Sequence, residues 1–165
     1  MASNIIQRAA ALFVAGANSL QSPLLLGIRV YFFWQLHLAG QGKLGNMEKV
    51  TQFFTSLGIP FPVFNAWFVA SLECWGGLLL VAGLFSRPLA LMVFISMTVA
   101  YLTADMEAFS SFLSDSDKFV KADPFVYWFA SLIILVFGPG LFSLDAIAKY
   151  VFRRRGAIGN SQNLK

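Results

Sequence analysis

The sequence predicts an all-α membrane protein: a four-transmembrane-helix up-down bundle with an N-terminal interfacial helix and short helices in the outer loops. Three observations carry that prediction. Four long apolar segments, residues 23–39, 61–85, 88–104 and 124–144, occupy about half of the 165 residues. Each meets or approaches the ~20 apolar residues that cross a hydrocarbon core of about 30 Å. The chain is also 58% hydrophobic and only 12% charged, with a mean hydropathy of +0.69, where a soluble domain carries about 25% charged residues. Finally, the basic residues gather at segment ends rather than along a face. The net charge of +4 therefore reads as an orientation signal. A lipid bilayer is the expected partner, and a nucleic acid is not.

Each element follows in chain order. Residues 1–22 form an N-terminal interfacial segment. The apolar run over 9–17 is short for a span, and a better hydrophobic segment follows at once, so residues 3–18 are expected as an amphipathic helix on the inner surface. Residues 23–145 make the membrane domain. In the first outer connection, Met47, Val50, Phe53 and Phe54 recur on one helical face, which predicts a small helix on the bundle rim. Segments two and three are joined by Ser86-Arg87 alone, a tight inner hairpin in which Pro88 suits the first turn of the next helix. Residues 105–123 hold five acids, Asp105, Glu107, Asp115, Asp117 and Asp123, and should form a polar cap containing another short helix. Residues 146–165 are a basic cytoplasmic tail.

Orientation follows from the lysine and arginine distribution. With both termini inside, the inner side carries Arg8, Arg87, Lys149, Arg153, Arg154, Arg155 and Lys165, opposed only by Asp145. The outer side carries Lys43, Lys49, Lys118 and Lys121 among six acids. Cytoplasmic loops hold the basic excess, so both termini are expected in the cytoplasm.

Within the spans, the ionisable side chains stand out because a charge at membrane depth is costly and usually faces the bundle interior with a partner. Arg29 lies about 9 Å from the inner end of span one if that span starts at residue 23. Glu73 lies about 12 Å above the inner edge of a 30 Å core if span two starts at residue 61. These depths predict an Arg29–Glu73 ion pair, which would either set the register of two helices or meet a polar ligand head or relay protons. Ala66, Ala70, Glu73 and Gly77 recur at helical spacing, a small-residue face that permits close helix approach. His37, the one histidine, falls in the outer half near Trp67 and Tyr101 by the same counting. With Gln35 it could bound a pocket in which the histidine bonds a quinone carbonyl; equally, it could be an interfacial histidine in an aromatic belt. Cys74 is the one cysteine, so neither a disulfide nor a cysteine-based metal site forms within one chain. Met47, Met92, Met97 and Met106 are read as packing, and no metal site is expected.

Arg29, the stretch His37-Leu38-Ala39-Gly40-Gln41-Gly42-Lys43-Leu44, the segment from Phe53-Phe54 to Leu57-Gly58-Ile59-Pro60, and above all the Glu-x-x-Gly-Gly-x-Leu-Leu-x-x-Gly-Leu-x-x-Arg pattern from Glu73 to Arg87 resemble the DoxX family of small four-helix membrane proteins. Tyr101 to Asp105 and the Phe137-Gly138-Pro139-Gly140-x-x-Ser143-Leu144-Asp145 segment extend the resemblance over residues 23–145. It implies a bacterial inner-membrane protein with a link to quinone or thiol redox chemistry. Two functional classes result. One is the membrane subunit of a redox assembly, with quinone as its cofactor, a partner protein supplying electrons and no catalysis by this chain alone. The other is a non-catalytic anchor or assembly factor for a partner protein, or a small-solute transport component in which a homodimer would supply eight spans. Candidate ligand-binding residues are Arg29, Gln35, His37, Trp67, Glu73 and Tyr101.

Overall fold

Helix α1 (Ala2–Leu44) is 43 residues long and includes Pro23 in its interior. The computed structural model describes residues 2–162, with side chains described over 7–153 except residue 9. The interfacial helix expected over 3–18 and the span expected over 23–39 are parts of this single helix, with no break at 19–22. A proline inside a membrane helix removes one donor, and side chains or neighbouring helices can re-satisfy the freed groups. Residues 10–21 are exposed. From Leu25 onward α1 enters the bundle and buries Leu25, Arg29, Phe33, Leu36, His37 and Gly40, a stripe at three- and four-residue spacing along one face.

The second apolar segment is α3 (Pro62–Ser71), a π turn (Leu72–Gly76) and α4 (Gly77–Ala82) in direct succession. Pro62 opens α3, where its missing N–H has no intrahelical partner to lose. The expected small-residue face holds: Ala66, Ala70, Glu73 and Gly77 are all buried. The turn that follows is Gly83-Leu84-Phe85, with Gly83 at φ +72° and Phe85 at φ +49°. It is not Ser86-Arg87, which already belong to α5 (Ser86–Thr103). Pro88 does sit in the first turn of α5, as expected.

The two connections at the end opposite the Gly83–Phe85 turn contain α2 (Met47–Ser56), α6 (Met106–Ser110) and α7 (Ser116–Lys121), so the acidic cap holds two short helices rather than one. Asp115 caps α7 by accepting a hydrogen bond from the Lys118 backbone N–H. The last apolar segment is divided. Helix α8 (Phe125–Phe137) has 13 residues, about 20 Å, and stops at Gly138-Pro139-Gly140, where both glycines adopt positive φ. Helix α9 (Leu144–Gln162) follows; the side chains of Arg154, Arg155 and Lys165 lie outside the described residues.

Among the described residues the structure is all-helical. Three helical stretches, 10–44, 62–82 and 86–103, are long and apolar enough to cross a membrane, and α8 is a shorter apolar helix. α1 packs along α3, the π turn and α4, while α8 packs on α5 and α1. The core joins Leu25, Phe33 and Leu36 of α1 to Leu72, Leu80, Ala90, Val93, Met97, Ala130 and Ile134. Trp128 of α8 donates to the Thr98 hydroxyl of α5 at 3.0 Å and rests against Phe94.

Two glycines set the distance between α1 and the second span. A Cβ on Gly40 would collide with the backbone of Glu73 and Cys74, and one on Gly77 would lie 3.0 Å from the Phe33 carbonyl oxygen. Such close approach gives dispersion contacts where lipid offers no hydrophobic driving force. Gly40→Val should therefore lower stability in detergent by about 1–3 kcal/mol or more. Gly42→Val, whose Cβ would meet nothing within 4 Å, should cost far less. Thermal unfolding of the two variants side by side checks this.

Candidate functional site

The register fixed by Gly40 and Gly77 decides which polar groups meet. Gly40 lies against Cys74, Phe33 and His37 against Gly77, and Arg29 against Leu80 and Val81. The Arg29 guanidinium thus meets the second span seven to eight residues, about 11 Å, below Glu73. The expected Arg29–Glu73 ion pair does not form. The depth count failed because it placed the inner end of span one at residue 23, whereas α1 extends past the hairpin and Arg29 itself sits at hairpin level.

Arg29 is 1% exposed and is satisfied by backbone. Its Nε donates to the Leu80 carbonyl (3.1 Å), one terminal nitrogen to Pro139 (2.5 Å), and the other to Val81 (2.9 Å) and Phe142 (3.0 Å). The guanidinium therefore ties the last carbonyls of α4, the negative end of that helix, to the turn after α8. Asp145 completes the knot. Its carboxylate accepts from the backbone N–H of Phe85 and Ser86, and its own N–H donates to Gly83. It supplies the start of α5 with the cap that no local side chain provides.

Glu73 occupies the π turn, 2% exposed. Its Oε1 pairs with Lys43 Nζ of α1 at 2.5 Å, and its Oε2 is buried with no hydrogen-bond partner. One π turn inside a helix adds a residue to the turn, re-aims the side chains beyond it, and is frequent at functional sites. Here the wide turn buries Leu72, Glu73, Cys74 and Gly76 together. Glu73 and Lys43 stand in the wall of a cleft of about 1270 Å³ bordered by α1, α2, α3, α5 and α8. Phe53, Phe54, Phe68, Met92 and Met97 give it apolar walls, Asn65, Ser96 and Tyr127 add polar groups, and Lys49, Asp105, Lys121 and Asp123 bring further charges to its lining.

Of the six residues expected to bind a ligand, only Glu73 lines this cleft. Arg29 belongs to the inner knot. Gln35 is exposed, and Trp67 is 52% exposed on the outside of α3. His37 is buried, and its Nδ1 donates to the Cys74 carbonyl at 2.7 Å, the one role open to it since a carbonyl only accepts. Tyr101 is buried under the outer cap, donates to the Phe119 carbonyl at 2.8 Å and stacks on the Phe119 ring. These side chains do not converge on one pocket. Lys43 escaped sequence reasoning because Gly40 and Gly42 were read as loop, which placed Lys43 outside the bundle. The signal that could have found it is the i, i+3 step from Gly40 to Lys43, which sets both on one helix face.

Apolar helices long enough to span a bilayer, packed around a buried arginine and a buried glutamate, define an α-helical integral membrane protein. The chain belongs to the DoxX family: residues 24–106 match it, a stretch that contains Arg29, Lys43, the π turn and the inner hairpin. It is 27% identical over 121 residues to the Bacillus subtilis (strain 168) protein named "Putative oxidoreductase CatD", covering 63% of this chain and 86% of that one. No solved structure matches the chain.

The geometry separates two pairs that the depth count had conflated. In a double-mutant cycle, Lys43→Met and Glu73→Gln should show a coupling of about 0.5–3 kcal/mol, since the groups touch. Arg29→Lys with Glu73→Gln should be additive within about 0.5 kcal/mol. Detergent unfolding of the single and double variants measures both, and coupling between Arg29 and Glu73 would contradict the register described above.

Proposed function

We propose that this protein is the membrane subunit of a redox assembly and that its cleft holds the head group of a quinone. The observation that carries the reading is the cleft itself: largely apolar walls around a few polar groups are the usual form of a small-molecule site. Its volume of about 1270 Å³ exceeds the roughly 300–1,000 Å³ of ordinary ligand pockets, leaving room for part of an apolar tail. The aromatic and methionine side chains suit a flat ring, and Lys43 and Tyr127 are the groups that would hold its oxygens. The name given to the Bacillus relative agrees with redox work. When bound, the quinone supplies the two-electron chemistry; this chain contributes binding, orientation and exclusion of water, and a partner protein delivers the electrons.

In this reading the protein sits in the bacterial inner membrane as four crossings. Helix α8 and the turn after it make the fourth, the stretch of α1 before Pro23 continues past the hairpin on the inner side, and both termini are cytoplasmic. The polarity of the two ends supports it: Arg87 and the Arg29–Asp145 knot lie at one end, the acidic α6–α7 cap at the other.

Protein purified in mild detergent should release about one quinone per site on solvent extraction, measured by chromatography. A co-purifying partner with no quinone would favour the anchor or assembly role instead. For topology, cysteines placed singly at Asn160 and Ser116 in a Cys74→Ala background should be labelled by an impermeant reagent in intact spheroplasts only at 116. Labelling at 160 alone would invert the orientation.

A further inference from the structure

One buried oxygen in the cleft wall has no partner, and it constrains what the cleft can hold. Glu73 is 98% removed from solvent by its 2% exposure, and Lys43 occupies only Oε1. A buried acceptor left unmade costs about 1–3 kcal/mol, more when charged. Lys43 already supplies one positive charge to the carboxylate, so a second cation is not required to balance it. The remaining need is a neutral hydrogen-bond donor. A head group bearing only carbonyl oxygens would set lone pairs against lone pairs. A hydroxyl would fit, with its oxygen free to accept from Lys43 while its hydrogen meets the carboxylate. Glu73 is one of the residues lining the cleft, and a hydroxyl that reaches the carboxylate would give its second oxygen the donor it lacks. No other residue lining the cleft has a side-chain polar atom that is both buried and unpartnered.

We propose that Glu73 makes the cleft selective for an amphiphile whose head donates a hydrogen bond from a neutral hydroxyl, so that of a quinone couple it holds the reduced, quinol form. The quinol part rests on the function proposed above; the hydroxyl requirement does not. A quinol ring and the hydroxyl of a glyceride share this chemistry and are separated by the choice of probes.

The test uses the full-length protein in detergent under anaerobic conditions, with binding of four probes followed by quenching of its tryptophan fluorescence: decylubiquinol, decylubiquinone, the bis-O-methyl ether of the quinol, and dioctanoylglycerol. Decylubiquinol should bind at least about tenfold more tightly than both the quinone and the ether, the factor that corresponds to about 1.4 kcal/mol. In Glu73→Gln, whose amide can donate to a carbonyl, the preference should shrink below about threefold or reverse. If that variant unfolds, Lys43→Gln/Glu73→Gln, which removes both charges together, is measured in its place with the same expectation. Equal binding of quinol, quinone and ether overturns the proposal, and so does an undiminished preference after Glu73 is replaced. Glu73-dependent binding of dioctanoylglycerol without quinol binding upholds the hydroxyl requirement and overturns the quinone reading. Binding of none of the four overturns both.

Discussion

The Arg29 guanidinium is the interaction on which the hairpin end of the molecule depends. It is buried where a charge is costly, and it has no carboxylate in direct contact. Four carbonyls from two separate chain segments satisfy it instead. That arrangement explains local features that would otherwise be unrelated. α4 ends at Ala82 with its last carbonyls turned toward Arg29. Gly83 must be glycine, because its φ is +72° and a Cβ there would lie 2.8 Å from the Arg29 Cζ and 2.6 Å from the Ser143 Cβ. The turn after α8 breaks at Gly138-Pro139-Gly140 so that Pro139 and Phe142 can present carbonyls to the same guanidinium. Asp145 then caps α5 from across the turn. Lysine could not substitute: its three donors leave from one point, whereas the planar fork reaches four acceptors in several directions.

The outer half is organised differently. Gly40 and Gly77 bring α1 and the second span into backbone contact around the π turn, and the packing there leaves the adjacent cleft open. Lys43 closes one side of Glu73 with its ammonium, while the ammonium itself stays partly exposed, its side chain at 37% against 3% for Glu73. An ion pair with one solvated member is weaker and more easily rearranged than a fully buried one, because screening reduces its Coulomb energy. The two buried charged groups therefore have different characters. Arg29 is held by four bonds to backbone, and Glu73 by one bond to a partly exposed lysine.

How much of this was legible in the sequence depended on which physical signal each residue carried. The burial of Glu73 followed from Ala66, Ala70 and Gly77 at helical spacing. The amphipathic α2 followed from Met47, Val50, Phe53 and Phe54, and the start of α5 from Pro88. Those are periodicity and proline rules, which act locally. The partners of Arg29 and Glu73 were not legible, since they depend on the axial offset between α1 and the second span. Residue counting fixed that offset from the apparent ends of apolar runs. Pro23 looked like a helix start yet lies within α1, and Gly40 looked like a loop yet is a contact glycine inside the same helix. Both errors shift the register in the direction that separates Arg29 from Glu73. The π turn has no sequence signature at all, and backbone hydrogen bonds to Arg29 cannot be read from side-chain identities. The expected pocket of Gln35, His37, Trp67 and Tyr101 failed for a related reason: equal depth says nothing about which way a side chain faces around its helix.

The contrast between the two halves bears on where chemistry can occur. A cluster whose donors and acceptors are all satisfied resists the arrival of a ligand, since any new bond must displace an existing one of equal quality. The knot around Arg29 is close to that state, with four of the five guanidinium N–H groups engaged by the bonds described, although the Ser86 hydroxyl beside it is buried with no partner. The outer cleft is of the opposite kind. It combines open volume, an under-satisfied buried carboxylate and a wall in which a single π turn has replaced regular helix. Bulges of that type cost regular hydrogen bonding and persist where the surrounding structure holds them. Here the glycine contacts with α1 supply the restraint. The close approach of Gly40 to the Glu73–Cys74 backbone fixes the position of Glu73, and one of its oxygens stays buried with no hydrogen-bond partner.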